Sequence, residues 1–276
     1  MIVVNIKGGL GNQMFQYALA RKLQIIYPNE VVNINLEYFA NTKSDEIVST
    51  FPMDLNFFNI KNFDQTSFNF RFQKPIYKLL GYYYFEKYDI RFKNYILDKK
   101  IGYFDGYWQS EKYFLEIKDQ LKNEFQLKNE MWDEHSLTLL DKIRSSKSVS
   151  IHIRRGDYVK LGYNDTCGLK YYQEAINIIN LKIKDPHFFI FSNDIEWVKN
   201  NLKLKTLKTY VEYTTEAQAN KELLLMSSCQ YNIISNSTFS WWAAWLNDYS
   251  EKIVISPKDW IVGLKQNILV DSWIKI

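Results

Sequence analysis

From residue 149 onward, short β-branched or aromatic runs alternate with longer stretches of helical period. The runs predict strands at Val149 to Ile153, Phe188 to Phe191, Thr209 to Tyr213, Tyr231 to Ile234 and Ile253 to Ile255. The stretches between them predict helices at Lys170 to Ile183, Ile195 to Leu202, Glu216 to Ser227 and Phe239 to Asn247. Strand, helix, strand repeated in this way argues for a parallel sheet covered on both faces, a doubly wound α/β domain. The N-terminal half opens in the same style, with a strand at Ile2 to Ile6, a glycine turn, and a helix from Met14 to Tyr27 stopped by Pro28. Regularity returns with a strand at Ile101 to Tyr107 and helices at Glu111 to Phe125 and Glu130 to Arg144, before the Ser-rich link Ser145 to Ser148. That link sets the expected boundary between domains 1–147 and 148–276. Between Phe57 and Phe92 no period holds: 13 of 36 residues are aromatic, with six basic and three acidic residues.

Composition narrows the function classes. The 35 basic and 31 acidic residues leave a net charge of +4, too small and too evenly spread for a nucleic-acid surface. Two cysteines, Cys167 and Cys229, and three scattered histidines build neither a disulfide scaffold nor a thiolate zinc site. The short apolar opening meets glycines within a few residues, unlike a signal peptide, and no apolar run reaches the roughly 18 residues of a membrane span. A cytoplasmic protein is the expectation.

Five segments carry groups suited to chemistry. In Gly8-Gly9-Leu10-Gly11-Asn12-Gln13-Met14, glycines between a strand and a helix let a ligand approach helix-start amides. The dinucleotide fingerprint would need glycine at Met14, and the phosphate loop would need Gly-Lys-Ser/Thr. What distinguishes this loop from a tight connection is the pair of amides, Asn12 and Gln13, which can bind sugar hydroxyls or phosphate. The second segment, His152-Ile153-Arg154-Arg155-Gly156-Asp157, runs off the end of a strand, where α/β sheets bind ligands. Only six residues of the chain are arginine, and this turn holds an adjacent pair. One guanidinium can turn inward as a bidentate phosphate clamp, or Arg155 can pair with Asp157 at the surface. Third, Ser235-Asn236-Ser237-Thr238-Phe239 leads into an aromatic helix and offers hydroxyls and helix-start amides to an anion. The tryptophans that follow, Trp241, Trp242 and Trp245, are expected in the core. Fourth, Asp194 at a strand end can accept from a guanine edge or cap the next helix. Fifth, Asp105, Trp108, Gln109 and Glu111 form a mixture of carboxylates, amide and aromatic that suits sugar binding, or packing alone.

The runs GGLGNQMFQYALA, HIRRGDY and SNSTFSWWAAWL, in this order, resemble the α1,2-fucosyltransferases, and FDGYWQSEKYF is similar to a further segment of that family. The resemblance implies an α/β fold of GT-B type, two Rossmann-like domains with parallel sheets facing a central cleft. The first domain would take the acceptor and the second GDP-β-L-fucose. It implies inverting transfer to the 2-hydroxyl of a terminal β-galactose, with no metal or other cofactor. Carried over residue by residue, Arg154 would hold the β-phosphate with Arg155 beside it, and His152 and Asp194 would approach guanine. Ser235, Asn236, Ser237, Thr238 and Phe239 would line the pyrophosphate, and Gly11, Asn12 and Gln13 would close the site from the other domain. Asp105, Trp108 and Gln109 are the acceptor candidates. Glu111, Asp157 and Asp105 are candidate bases, and an oxocarbenium-like path in which the departing phosphate takes the proton needs none. Small chains of this family without a membrane anchor are bacterial enzymes that decorate surface polysaccharide. The expected partners are therefore GDP-fucose and a galactose-terminated oligosaccharide or lipid-linked glycan, the latter bringing peripheral contact with the inner membrane. Transfer to another linkage, or a carbohydrate-binding protein without catalysis, are the rival readings.

Overall fold

The computed structural model describes residues 1–40, 53–61, 63, 70–86, 91–155, 167–212, 218–264 and 266–276. The chain divides into two compact units, Met1–Gln126 with Lys265–Ile268, and Leu127–Leu264 with Leu269–Ile276. Each is built on a wholly parallel sheet, the architecture expected from the strand and helix alternation.

Unit 1 runs β1 (Ile2–Asn5), α1 (Leu10–Ile26), β2 (Val32–Asn35), α2 (Glu37–Ala40), α3 (Phe70–Leu79), β3 (Tyr83–Phe85), β4 (Gly102–Asp105) and α4 (Lys118–Glu124), with sheet order β2-β1-β4-β3. Helix α1 starts at Leu10, earlier than the expected Met14, because Gly9 takes the N-cap position and Asn12 and Gln13 both donate to its carbonyl. It is buried on nearly every side as far as Leu23, so its polar residues need internal partners. Gln16 accepts from Lys7 N (2.8 Å) and donates to Gly106 O (3.0 Å), tying the exits of β1 and β4 together. Arg21 and Tyr17 both bond to Glu124 of α4. The single helix expected at Glu111 to Phe125 is interrupted. Phe114 leaves helical geometry (φ −142°), giving two short 3-10 turns, Glu111–Tyr113 and Leu115–Ile117, before α4. The break lets Tyr113 and Phe114 both reach the core.

Unit 2 runs α5 (Glu134–Arg144), β5 (Ser148–Ile153), α6 (Leu169–Lys182), β6 (His187–Ser192), α7 (Ile195–Asn201), β7 (Lys208–Val211), α8 (Ala219–Ser227), β8 (Tyr231–Ile233), α9 (Thr238–Leu246), β9 (Val254–Ser256) and β10 (Ile274–Lys275). Its strands lie in the order β10-β9-β8-β5-β6-β7. The Ser-rich link at which the sequence set a boundary lies inside this unit, between α5 and β5. Helix α5 starts at Glu134, after the expected Glu130, because Asp133 caps it by accepting from Ser136 N at 2.7 Å. Asp133 also pairs with Lys221 of α8. Trp241, Trp242 and Trp245 on α9 are core residues, as expected.

In each sheet the first strand has neighbours on opposite sides that follow it in different crossovers. β1 lies between β2 and β4, and β5 between β6 and β8, so each sheet has a switch point where a crevice opens at the carboxyl ends of its strands.

Candidate active site

The switch point of unit 2 collects three of the segments singled out in the sequence. His152, one residue short of the end of β5, bonds through Nδ1 to Ser235 Oγ beyond β8 (3.0 Å), bridging the crevice floor. Both are buried, and the imidazole packs against Phe239 with ring centroids 5.4 Å apart. Burial, reinforced by the charge of Arg154, pushes the His152 pKa down to about 3, so this ring is a neutral hydrogen-bonding group at physiological pH. Tyr171 and Tyr172 of α6 brace the same floor, donating to the carbonyls of Ile234 (2.5 Å) and His152 (3.2 Å).

Above this floor the start of α9 is held by its own polar residues. Ser240 Oγ donates to Ser237 O at 3.2 Å, and Asn236 Nδ2 donates to Trp260 O at 3.3 Å. Ser237 occupies the N-cap position without a side-chain capping bond, so capping does not consume its hydroxyl. Thr238 and Phe239 are half-buried on the first turn. A helix start of this kind presents amides and positive potential to an anion.

The two arginines part company. Arg155 N donates to Asn193 Oδ1 (2.9 Å), its Nε bonds to Asp194 Oδ2 (3.2 Å), and its guanidinium lies 3.5 Å from the centre of the Trp197 ring. Asp194 Oδ1 accepts from Trp197 N (3.3 Å), capping α7. Both carboxylate oxygens of Asp194 thus have protein partners, Arg155 and Trp197 N, while Asp157, weighed as a surface partner for Arg155, lies outside the described residues. Arg154 is half-buried at the end of β5, close enough to Glu222 of α8 to act on its ionisation. Burial pushes the Glu222 carboxyl up to about 7, with Arg154 pulling the other way. Glu222 was not a sequence candidate. In the run Asn-Lys-Glu-Leu-Leu-Leu it reads as the polar side of a helix, and only the fold brings it to Arg154.

Unit 1 has its own polar centre at its switch point. Gly8 adopts φ +77°, and a Cβ there would meet Asn12 Nδ2 at 3.0 Å, which explains glycine at this turn. Asn12 Oδ1 accepts from Gln109 Nε2 at 2.8 Å, so a donor-side and an acceptor-side candidate are bonded to each other. Gln13 departs from expectation. Its side chain has no exposed surface, donating to Gly8 O (2.9 Å) and accepting from Asp54 N (3.0 Å), so it shapes the loop without facing a ligand. Trp108 likewise is core, 1% exposed between Phe104 and Tyr113, with its backbone N donating to Glu86 Oε2 at 2.7 Å. Gly106 permits this turn, since a Cβ there would meet Glu86 Cβ at 2.6 Å.

Asp105, at the end of β4, accepts from Lys7 (2.7 Å), Lys74 (2.7 Å), Tyr83 (2.6 Å) and Asn5 (3.0 Å). Burial opposes ionisation, but these donors outweigh it and hold the carboxyl far below the usual range. A carboxylate so satisfied is a poor proton acceptor, which removes Asp105 from the candidate bases and makes it the anchor of two lysines. Neither lysine was singled out from the sequence. Gly11 lies in the first turn of α1, and Glu111 is half-buried at the start of a 3-10 turn.

Among the described residues, no three His, Cys, Asp or Glu side chains come together as a metal site, and no helix is long and apolar enough to cross a membrane. The family model described as Glycosyl transferase family 11 matches residues 1–276. The chain is 33% identical to an alpha-1,2-colitosyltransferase of Escherichia coli over 100% of this chain and 99% of that protein. It is 29% identical to the O-antigen biosynthesis glycosyltransferase WbnK of Escherichia coli, over 98% and 99% of the two chains. With galactoside alpha-(1,2)-fucosyltransferase 1 of Bos taurus it shares 29% identity across 47% of this chain and 39% of the relative. In fold it is similar to an Arabidopsis thaliana FUT1 mutant solved with GDP, at a TM-score of 0.52 and 11% identity, covering 94% of this chain and 71% of that one.

Proposed function

The chain belongs to glycosyl transferase family 11, and from that premise we propose that it transfers L-fucose from GDP-β-L-fucose, with inversion, to the 2-hydroxyl of a terminal β-galactose in a cytoplasmically assembled surface glycan. The observation that carries this reading is the unit 2 switch point, where Arg154 follows β5 and the hydroxyl-rich start of α9 follows the neighbouring β8, beside the buried His152–Ser235 bond. Departure of GDP leaves negative charge on the β-phosphate as the C1–O bond breaks. A guanidinium and helix-start amides at a strand edge suit that charge before it develops, so no reorganisation is needed when it does. The linkage is supported by the alpha-1,2 specificity in the names of the colitosyl and fucosyl relatives.

The test is incubation with GDP-fucose and β-galactosides, followed by linkage analysis. Transfer to galactose O2 is expected, and a 2-deoxygalactoside should be inert. Product on the 2-deoxy acceptor would move the linkage elsewhere. The colitosyltransferase relative makes the donor worth resolving, so GDP-colitose belongs in the same panel, and faster turnover with it would replace fucose as the transferred sugar. A protein that only binds carbohydrate has no reason to bind GDP, so a GDP titration separates that rival.

Arg154 and the α9 start supply positive potential where a metal would otherwise neutralise the diphosphate. Turnover should therefore survive excess EDTA nearly unchanged. Complete loss in EDTA, restored by Mg²⁺ or Mn²⁺, would hand the leaving-group charge to a metal.

A further inference from the structure

At the carboxyl end of the unit 1 sheet, two lysines share one carboxylate. Asp105 is the last residue of β4, Lys7 follows the end of the neighbouring β1, and α3 brings Lys74 to the same point. Both oxygens of Asp105 are fully engaged: Oδ1 accepts from Lys7 and Asn5, and Oδ2 from Lys74 and Tyr83. One ammonium would neutralise this carboxylate. A second brings like charges together, which is unfavourable unless a further anion offsets it. Among the described residues neither lysine has another ion-pair partner. The aromatic rings beside them, Tyr107 at 5.4 Å from Lys7 Nζ and Tyr83 at 5.3 Å from Lys74 Nζ, attract the charge but take no proton as a hydrogen-bond oxygen would. Each ammonium has three N–H donors and gives one to Asp105. The cluster therefore keeps a net positive charge and unused donors. Asp105 is buried while both lysines are partly exposed, so those donors are within reach of a ligand at the switch point, where α/β sheets bind one.

We propose that Lys7 and Lys74 form an oxyanion subsite at the unit 1 switch point, taking a carboxylate or phosphate group carried by the glycan acceptor. Asp105 holds the two ammoniums on either side of a carboxylate, and a second oxyanion bound between them meets the same spacing. Ammonium groups act as compact charges with rotatable donors, so they accept either kind of oxyanion. The group has two possible sources, an acidic sugar next to the galactose or the diphosphate that joins a glycan to a lipid carrier. Neither lysine falls in the runs that resemble the fucosyltransferases, so the family resemblance does not assign this subsite. That the anion belongs to an acceptor rests on the proposed transferase activity, and the subsite itself does not.

Two matched acceptor pairs test it: galactosyl-glucuronate against galactosyl-glucose, and galactosyl-N-acetylglucosamine on a short alkyl diphosphate against the same disaccharide on a plain alkyl chain. For wild type, kcat/KM should be roughly five- to tenfold higher for the charged member of at least one pair, through KM, and the gain should shrink in high salt. K7M and K74M should each bring the charged-to-neutral ratio close to one, and K7R should retain the preference. Taking the ratio within each variant cancels any change in the amount of folded enzyme. A gain with the uronate places the anion on a neighbouring sugar, and a gain with the diphosphate places it at the carrier linkage. No gain in either pair, or a gain that survives either methionine substitution, would overturn the proposal. Calorimetric titration of the same four acceptors, without nucleotide sugar, separates this inference from the transferase reading. Tighter binding of a charged acceptor, lost in K7M and K74M, with no transfer to any galactoside would count against the transferase reading alone.

Discussion

Arg154→Lys should lower turnover by roughly 10²- to 10³-fold, about 3 to 4 kcal/mol of transition-state stabilisation, while the melting temperature stays near that of wild type. Lysine keeps the positive charge but loses the planar pair of donors that can grip two phosphate oxygens at once. The interaction strengthens as the β-phosphate gains charge, so the loss belongs in kcat more than in KM. Arg155→Lys supplies the internal contrast. Its guanidinium is stacked on Trp197 and bonded to Asp194, so this change should act on the α7 anchor and cost far less activity. Near wild-type turnover for Arg154→Lys, or equal losses at both positions, would reject Arg154 as the leaving-group clamp.

Asp105→Ala should strongly destabilise unit 1. The Asp105 carboxylate is 5% exposed, and its removal leaves Lys7 and Lys74, 22% and 38% exposed, without the charge that holds them. Stripping one partner from a buried ionic cluster costs about 3 to 5 kcal/mol, and the partial exposure of the lysines brings the expectation to about 3. In thermal unfolding that is a fall of roughly 6 to 12 °C. The acid dependence has a defined sign. Asp105 ionises more readily in the folded chain than in the unfolded one, so below neutrality the unfolded state binds the extra proton. Its contribution is therefore full above about pH 4 and drains away as the pH falls further. The gap between wild type and variant should be widest at pH 7 and narrow below about pH 4. A constant gap, or none, would show that the lysines find other partners.

Five of the six strands described in unit 2 were legible in the sequence to within a residue or two, because buried parallel strands are rich in apolar residues and their crossovers break that run, whereas the two-residue edge strand β10 gave no such signal. Phe188 to Phe191 announces itself for that reason, and Val149 to Ile153 by its alternating Val, Ile and Ile. The aromatic stretch from Phe57 to Phe92 did not. It contains α3, whose apolar side faces outward, and β3, a three-residue edge strand, so hydrophobicity there does not follow the core. Within the site, the placing of His152 to Arg155 and Ser235 to Phe239 at the carboxyl ends of neighbouring strands was readable from residue type and strand position. The choice between Arg154 and Arg155 was not, because it depends on Trp197 and Asp194 meeting Arg155 across a strand pair. Glu222, Lys7 and Lys74 were invisible for the same reason: each acquires its meaning from a partner far away in the chain.

Unit 1 is not closed by its own first 126 residues, since Lys265–Ile268 returns to it, bringing the wholly buried Ile268 and a bond from Phe92 N to Asn267 Oδ1 at 3.0 Å. Ile268→Ala should therefore cost about 2 to 4 kcal/mol and expose cleavage sites within residues 1–126 to protease, far from the substitution in sequence. On a ribosome, residues 127–264 must be made in between, which at about 5 to 20 residues per second takes roughly 7 to 30 s. Residues 1–126 are thus made long before the segment that completes their packing, and their last stabilising contacts wait for residues 265–268.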